Sequence, residues 1–433
     1  MSNALSALAN PLARRVAAEH AAAAAVSPAV ARPANRQALD AFLERGLPTA
    51  RDENWRYANL KALEKASFAP ALAPGAATAL AEVLPDALEG HSRHVFIDGL
   101  YAPALSTAAA QPGLTVTAGQ APRLPPAADR DTHQGFALLN DAFAADGADI
   151  HLTAGSSAAV EVLFVSNGTD AVAAYPRLTV RLERGSKLDL VERHLSPATA
   201  AGLVSTAIGV EVGDGATLDH CRLQQAGAAA AWMDSLSAAV GRDGAYNTHV
   251  VQLGALSARS TTQVRLAAPG AALNFNAVAV ADARQVLDNM MVVEHQAPNT
   301  RTQQNFRGIA GARSRLAFNG KIIVQAAAQK ADSAQSLRGL IAGAEAEIDL
   351  RPQLEIYTDD VRCSHGATTG KLDDNMLFYL LSRGLEPAVA QRLLKWAFLT
   401  DIVARISQPQ LRQQVRQALV GHMQDADALK ELL

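Results

Sequence analysis

Apolar positions along this chain change period twice. Up to about residue 150 they recur at helical spacing. "NRQALDAFLERGLP" puts Leu39, Phe42 and Leu43 on one face, and Gly46 with Pro48 closes the helix. "RRVAAEHAAAAA" is built from strong helix formers. "ENWRYANLKALEKA" offers Trp55, Leu60 and Leu63 as buried contacts, and "GFALLNDAFAADG" predicts a helix with Gly147 at its C-terminal end. "HVFIDGLYAPAL" predicts a short strand pair turning at Asp98-Gly99.

From about Ala158 the period shortens. Apolar residues alternate or come in short β-rich runs: "AAVEVLFVS", "RLTVRLE", "KLDLVERH", "TLDHCRL", "LNFNAVAVA", "NMMVVEH", "RLAFNGKIIV". Helical spacing returns at Asp373, which can cap a helix through Met376, Leu377, Tyr379, Leu380 and Leu381 that Gly384 stops. Pro387 opens a second helix carrying Leu393, Trp396, Phe398 and Ile402, and Pro409 opens a third. The division predicted is a helix-rich domain over 1–150, a β core over 151–365 and a helical domain over 366–433.

Within the β core a turn pattern returns: "RGSKLDL", "DGATLDH", "DGAYNTH", "PGAALNF", "AGARSRLAF", "AGAEAEIDL". Its glycines, Gly185, Gly215, Gly244, Gly270, Gly311 and Gly343, are separated by 30, 29, 26, 41 and 32 residues. A coil of that length cannot bury its apolar face alone, so coils stack into a solenoid with one continuous core. A β-sandwich is the alternative, although its turns recur every 8–12 residues or so.

Composition narrows the function. The chain has 433 residues, 49% hydrophobic, with 39 Lys and Arg against 42 Asp and Glu. No basic stripe is present, so nucleic acid is disfavoured as a partner. No run approaches the roughly 20 apolar residues that span a bilayer. The opening "MSNALSALANPLARRVAAEHAAAAAV" reads either as an alanine-rich surface helix or as an organelle transit peptide. The only two cysteines, Cys221 and Cys363, form no disulfide framework and fit a reducing cytoplasm. They also cannot supply the four thiolates of an ordinary iron–sulfur site.

Familiar catalytic motifs are missing. Gly366-Ala-Thr-Thr-Gly370-Lys371 lacks the spacing of a phosphate loop and has Leu372 where Ser or Thr should hold magnesium. His194, His220, His249 and His295 stand alone on predicted strands and read as satisfied core or edge residues. Cys221 reads as a small buried hydrophobe. Cys363 and His365 differ: two apart on an extended segment, they face one side and could bind iron or a soft metal. The other reading is a polar corner in which Ser364 and the threonines satisfy backbone groups.

The stretch "DDVRCSHGATTGKLDDNMLFYLLSRGL" resembles the signature of the SufB/SufD family of iron–sulfur cluster assembly proteins, and its Cys-Ser-His-Gly-Ala-Thr form resembles the SufD branch. "ENWRYANL", "FALLNDAFAADGADIHL", "VEHQAPNTRTQQNFRGI", "FNGKIIV" and "PQLEIYTDDV" agree with it. The resemblance implies a mainly β fold, a right-handed parallel β-helix flanked by N-terminal and C-terminal helical domains. It implies a non-catalytic cytoplasmic scaffold that pairs with a SufB-like subunit through the β-helix edge and binds a SufC-like ATPase through its C-terminal helices, with a homodimer as the association of the isolated chain. It also implies a transient iron–sulfur cluster shared with the partner and not bound by this chain alone, with His365 as the metal ligand at the interface and Cys363 as a weaker cofactor-binding residue. The chain departs from many relatives at "ADSAQSLRGLIAG", where they are rich in glutamine and asparagine. A SufB-like member that holds the cluster itself is the rival, set back by the cysteine count. A carbohydrate-active β-helix enzyme would need carboxylates clustered along one groove and a secretion signal.

Overall fold

A computed structural model describes residues 11–49, 51–63, 66–73, 80, 84–125, 134–167 and 172–422. Its centre is a parallel β-solenoid of about eight turns, each coil giving one strand to each of two facing sheets. Strands of the first sheet begin at residues 157, 187, 217, 245, 272, 301, 331 and 361, and the last, Val361–Gly370, carries both Cys363 and His365. Those of the second sheet include Leu203–Val212, Ala231–Val240, Ser257–Leu266, Val286–His295, Arg315–Val324 and Glu347–Ile356. All pair in parallel with the strand one coil away. The sandwich is thereby excluded.

The coil repeat rests on backbone conformation more than on residue type. Left-handed φ values of 52–77° stand at Gly155, Gly185, Gly215, Asp243, Gly270, Asn299 and Lys330, just before seven of these eight strands of the first sheet. Each of these from Gly185 on donates its N–H to a carbonyl in the next coil's corner, ending with Lys330 N–H to Asp360 O at 2.5 Å. Gly311 and Gly343 precede strands of the second sheet instead. The glycine series in the sequence therefore mixes two rows of corners. Its gap of 41 residues hides the corner at Asn299, where asparagine tolerates φ of 59°.

Side chains alternate between the solenoid interior and its two outer faces. The interior is apolar along most of its length, with columns such as Leu188, Leu218, Tyr246 and Leu273 stacked rung on rung. Helices cover the outer faces. On the first sheet, helix α5 (Pro387–Val403) and helix α6 (Pro409–His422) lay Leu399, Ile402, Val403, Leu411, Val415 and Leu419 over Val191, Cys221, Leu223, Val251 and Val278. Trp396 and Phe398 pack against that cluster. On the second sheet, α2 (Pro33–Arg45) and α3 (Gln134–Phe143) join Leu39, Phe42, Phe136 and Phe143 to Ala173, Tyr175, Leu203 and Met233.

Several local readings meet their elements. Asp98 and Gly99, with φ of 51° and 84°, turn the antiparallel pair Ser92–Ile97 and Leu100–Tyr101. Helix α1 (Pro11–Val26) forms over the alanine-rich stretch, whose first ten residues lie outside the described ones. One reading is corrected. Helix α3 ends at Phe143, and Gly147 opens the strand Gly147–Leu152, where a Cβ would stand 2.3 Å from the Arg177 carbonyl oxygen. In "ENWRYANLKALEKA" Trp55 and Leu63 are buried and Leu60 packs against them, as read, on two single-turn pieces, Glu53–Trp55 and Leu60–Leu63.

Candidate functional site

The solenoid is open at its C-terminal end. Glu347–Ile356 is the last strand of the second sheet and Val361–Gly370 the last of the first, so each has one unpaired edge. Neither contains a fully buried residue. Helix α4 (Asp374–Ser382) follows directly. Asp373 caps it by accepting from the N–H groups of Asn375 and Met376, and Gly384 ends it with φ of 88°. The helix buries none of its residues, leaving Met376, Phe378 and Tyr379 56–71% exposed. Tyr357 and Ile356 are exposed on the coil beside it.

Cys363 and His365 stand on this last strand, opposite Ser333 and Gln335 of the previous coil. Cys363 packs against the interior core, so its alternation partner His365 faces the same mouth between the sheets. Burial, helped by the Asp332 carboxylate, pushes the Cys363 thiol above its ordinary range. The free protein therefore holds a thiol there, not a thiolate. Among the described residues no hydrogen bond or ion pair engages the His365 side chain, and no group of three or more His, Cys, Asp and Glu is arranged to hold a metal. At this mouth the chain offers two donors, fewer than a four-coordinate iron needs.

A second cluster was not visible as such in the sequence. Glu192, His194, His220, Arg222 and Asp234 meet inside the solenoid, all at least 97% buried. His194 Nε2 lies 2.5 Å and His220 Nε2 3.1 Å from the Glu192 carboxylate. Arg222 donates to both Glu192 and Asp234, at 3.0 and 2.8 Å, and Ser260 donates to Asp234 at 3.0 Å. Burial alone would raise the Glu192 carboxyl, but Arg222 and the two imidazoles outweigh it and hold it well below the usual range. Burial lowers His220, which stays neutral and accepts from the Tyr246 hydroxyl at 3.1 Å. His194 and His220 are thus hydrogen-bonded core residues, as their strands suggested, and they share one carboxylate instead of standing alone. The available signal was parity: in "KLDLVERH", Glu192 and His194 share the face of Leu188 and Leu190, and Arg222 lies one coil on from Glu192.

Cys221 is buried on the outer face under α5 and α6, and burial pushes its thiol to about 12, which makes it inert. The segment after Thr49 straps the second sheet: Trp55 lies 4.6 Å from the Arg259 guanidinium, Tyr57 5.0 Å from that of Arg315, and Glu53 pairs with Arg351 on the last strand. No helix among the described residues is long and apolar enough to cross a membrane.

Comparisons with known proteins bear on this arrangement. A family model described as SUF system FeS cluster assembly, SufBD core domain, matches residues 164–398, more than half of the chain. The iron–sulfur cluster assembly protein SufD of Escherichia coli K12 is 30% identical over 392 residues, which cover 88% of this chain and 91% of that protein. A SufBD family protein of Synechocystis is 28% identical over 86% of this chain and 87% of its own length. One of Mycobacterium tuberculosis H37Rv is 25% identical over 91% and 93%.

Proposed function

The chain belongs to the SufBD family of the SUF iron–sulfur cluster assembly system and is SufD-like, and from that premise we propose that it is a non-catalytic cytoplasmic scaffold subunit. In this reading it joins a SufB-like subunit through the open coil and carries a SufC-like ATPase on its C-terminal helices. His365, assisted by Cys363, lends donors to a nascent cluster at the seam. The observation that carries the reading is the open mouth. Two sheet edges with unmet backbone groups are a ready template for another chain's strands. A neutral imidazole beside them is a competent iron ligand.

Each part follows from chemistry at that end of the molecule. Two donors cannot close a site alone, so the remainder come from a second chain and from sulfide. The cluster is cargo here, assembled and passed on. Cys363 must lose its proton to ligate, which a nearby iron ion would drive. The ATPase is assigned to a separate subunit because no phosphate loop is present in the sequence. Its docking face is α4, whose Met376, Phe378 and Tyr379 side chains stand exposed, whereas Trp396 and Phe398 are engaged with the core.

The test is co-expression with SufB-like and SufC-like chains, followed by co-purification and iron and sulfide analysis. A stable complex with iron and sulfide is expected. Phe378→Asp should release the ATPase and keep the SufB-like chain. Deletion of the whole tail is uninformative, because α5 and α6 cover the apolar face of the first sheet. Failure to co-purify with a SufB-like chain, with the chain folded, would reject the reading.

A further inference from the structure

His365 ends a column of inward positions in the first sheet. Register places Phe275, Gln304, Gln335 and His365 on successive rungs. Gln304 and Gln335 are buried, and Gln335 Nε2 donates to Gln304 Oε1 at 2.7 Å. The opposite sheet makes room for this amide: at Gly320 a Cβ would stand 2.1 Å from Gln335 Nε2. Behind it Phe306 and Phe318 close the column, their rings 4.6 Å apart. The Gln335 amide is therefore held by its nitrogen and blocked on the inward side. Its Oε1 is buried and has no hydrogen-bond partner. Leaving such an acceptor unmet in the interior is costly. The next side chain outward on the same face is the His365 imidazole, which no other group engages.

We propose that Gln335 is the positioning residue for His365: its Oε1 accepts one ring N–H, which fixes the tautomer and turns the other ring nitrogen, with its lone pair, out of the solenoid mouth. The role rests on the reading of His365 as a ligand to the cluster. The amide supplies what carbonyls and carboxylates supply to metal-bound histidines, orientation and a defined lone pair. Glutamine does this without adding a charge beside Cys363 and Asp332. The ladder gives the arrangement its stiffness, because Gln304 anchors Gln335 one rung further in.

The test reads the tautomer directly. The full chain is labelled with ¹⁵N-histidine and studied by NMR at pH 8.5, where free imidazole is neutral, with His365 assigned by its loss in His365→Ala. A single His365 tautomer is expected in the unaltered chain. Gln335→Leu should relax it to the mixture of free histidine, and Gln335→Glu, which still accepts, should restore one form. A mixed tautomer in the unaltered chain overturns the proposal whether or not the variants fold, and so does a tautomer unchanged in folded Gln335→Leu. In the co-expressed complex, Gln335→Leu should lower iron affinity about 10–100-fold with the subunits still assembled. If His365→Ala retains full iron while the tautomer lock is present, the ligand reading fails and the positioning contact stands. If the lock is absent and His365→Ala loses iron, the reverse holds.

Discussion

His220 and His365 occupy the same column of the same sheet, linked rung by rung through Thr248, Phe275, Gln304 and Gln335. The backbone treats them alike. In the middle coils His220 is closed in by Glu192, Tyr246 and Arg222, and both its ring nitrogens are engaged. At the mouth His365 has no such enclosure, and the nearest interior group is an amide oxygen without a partner. A solenoid repeats its geometry, so function at one rung comes from being at the end of the stack. Charges in the middle must satisfy each other, while at the mouth donors remain free for another chain.

The strongest way to break this contrast is to unbalance the middle. Arg222→Met leaves the Glu192 and Asp234 carboxylates buried without their cation. Losing one partner of a buried charge pair costs about 3–5 kcal/mol. The midpoint of denaturant unfolding should fall accordingly. A midpoint unchanged in Arg222→Met would mean that the cluster is hydrated and open, which would remove the distinction between the two regions.

Acid sharpens the contrast next. Burial depresses His295 and His249 to about 4 in the folded chain. Thr300 Oγ1 donates to the Ala297 carbonyl and accepts from His295 Nδ1, so Nε2 carries the lone pair that Thr302 meets. The unfolded chain takes up protons near pH 6.5 that the folded chain refuses. Stability from these residues is full above pH 6.5, falls as pH drops toward 4, and is level below that. Each contributes about 3 kcal/mol at most. Unfolding midpoints should hold level from pH 7.5 to about 6.5 and fall from there to pH 4, and His295→Gln should flatten part of the slope. A flat profile in the unaltered chain would show these sites to be open to protons.

Much of this was legible in the sequence, and the rest was hidden for identifiable reasons. The period near thirty residues announced a solenoid because every coil must turn at the same place. It blurred at Asp243, Asn299 and Lys330, where residues other than glycine take the left-handed turn. The cap at Asp373 and the stops at Gly46 and Gly384 were readable because capping is local. The Glu192 cluster was obscured because its members come from three strands, two meeting through register and the third, with Asp234, across the interior from the facing sheet. Gln335 escaped for the same reason: nothing in "ADSAQSLRGLIAG" says which glutamine lies beside His365 until strands are paired.

At the mouth, Cys363 tests how far the core extends. Its side chain touches the interior cluster and is only partly buried. Cys363→Ala should cost about 1 kcal/mol, seen as a small fall in the unfolding midpoint, and should leave most of the complex's iron in place. A loss of iron as large as that from removing His365 would promote the thiol from packing group to principal ligand.

The smallest effect on stability carries the most information. His365 is exposed on an edge strand, and its one proposed contact within the chain is the Gln335 amide. Its replacement by alanine opens Gln335 Oε1 to solvent and should lower unfolding free energy by about 0.5 kcal/mol, the low end for one hydrogen bond. Co-expressed with SufB-like and SufC-like chains, the same variant should assemble fully and yield a complex poor in iron and sulfide. The two readouts must separate for the contrast with His220 to hold, since a structural histidine loses stability and a ligand loses cargo. His220→Ala supplies the opposite pattern: it strips Glu192 of a donor and Tyr246 of an acceptor in the closed interior, so the fold should weaken before any cluster is tested. Normal iron and sulfide in an intact His365→Ala complex would make the mouth a structural corner, its two unpaired strand edges still serving the partner chain.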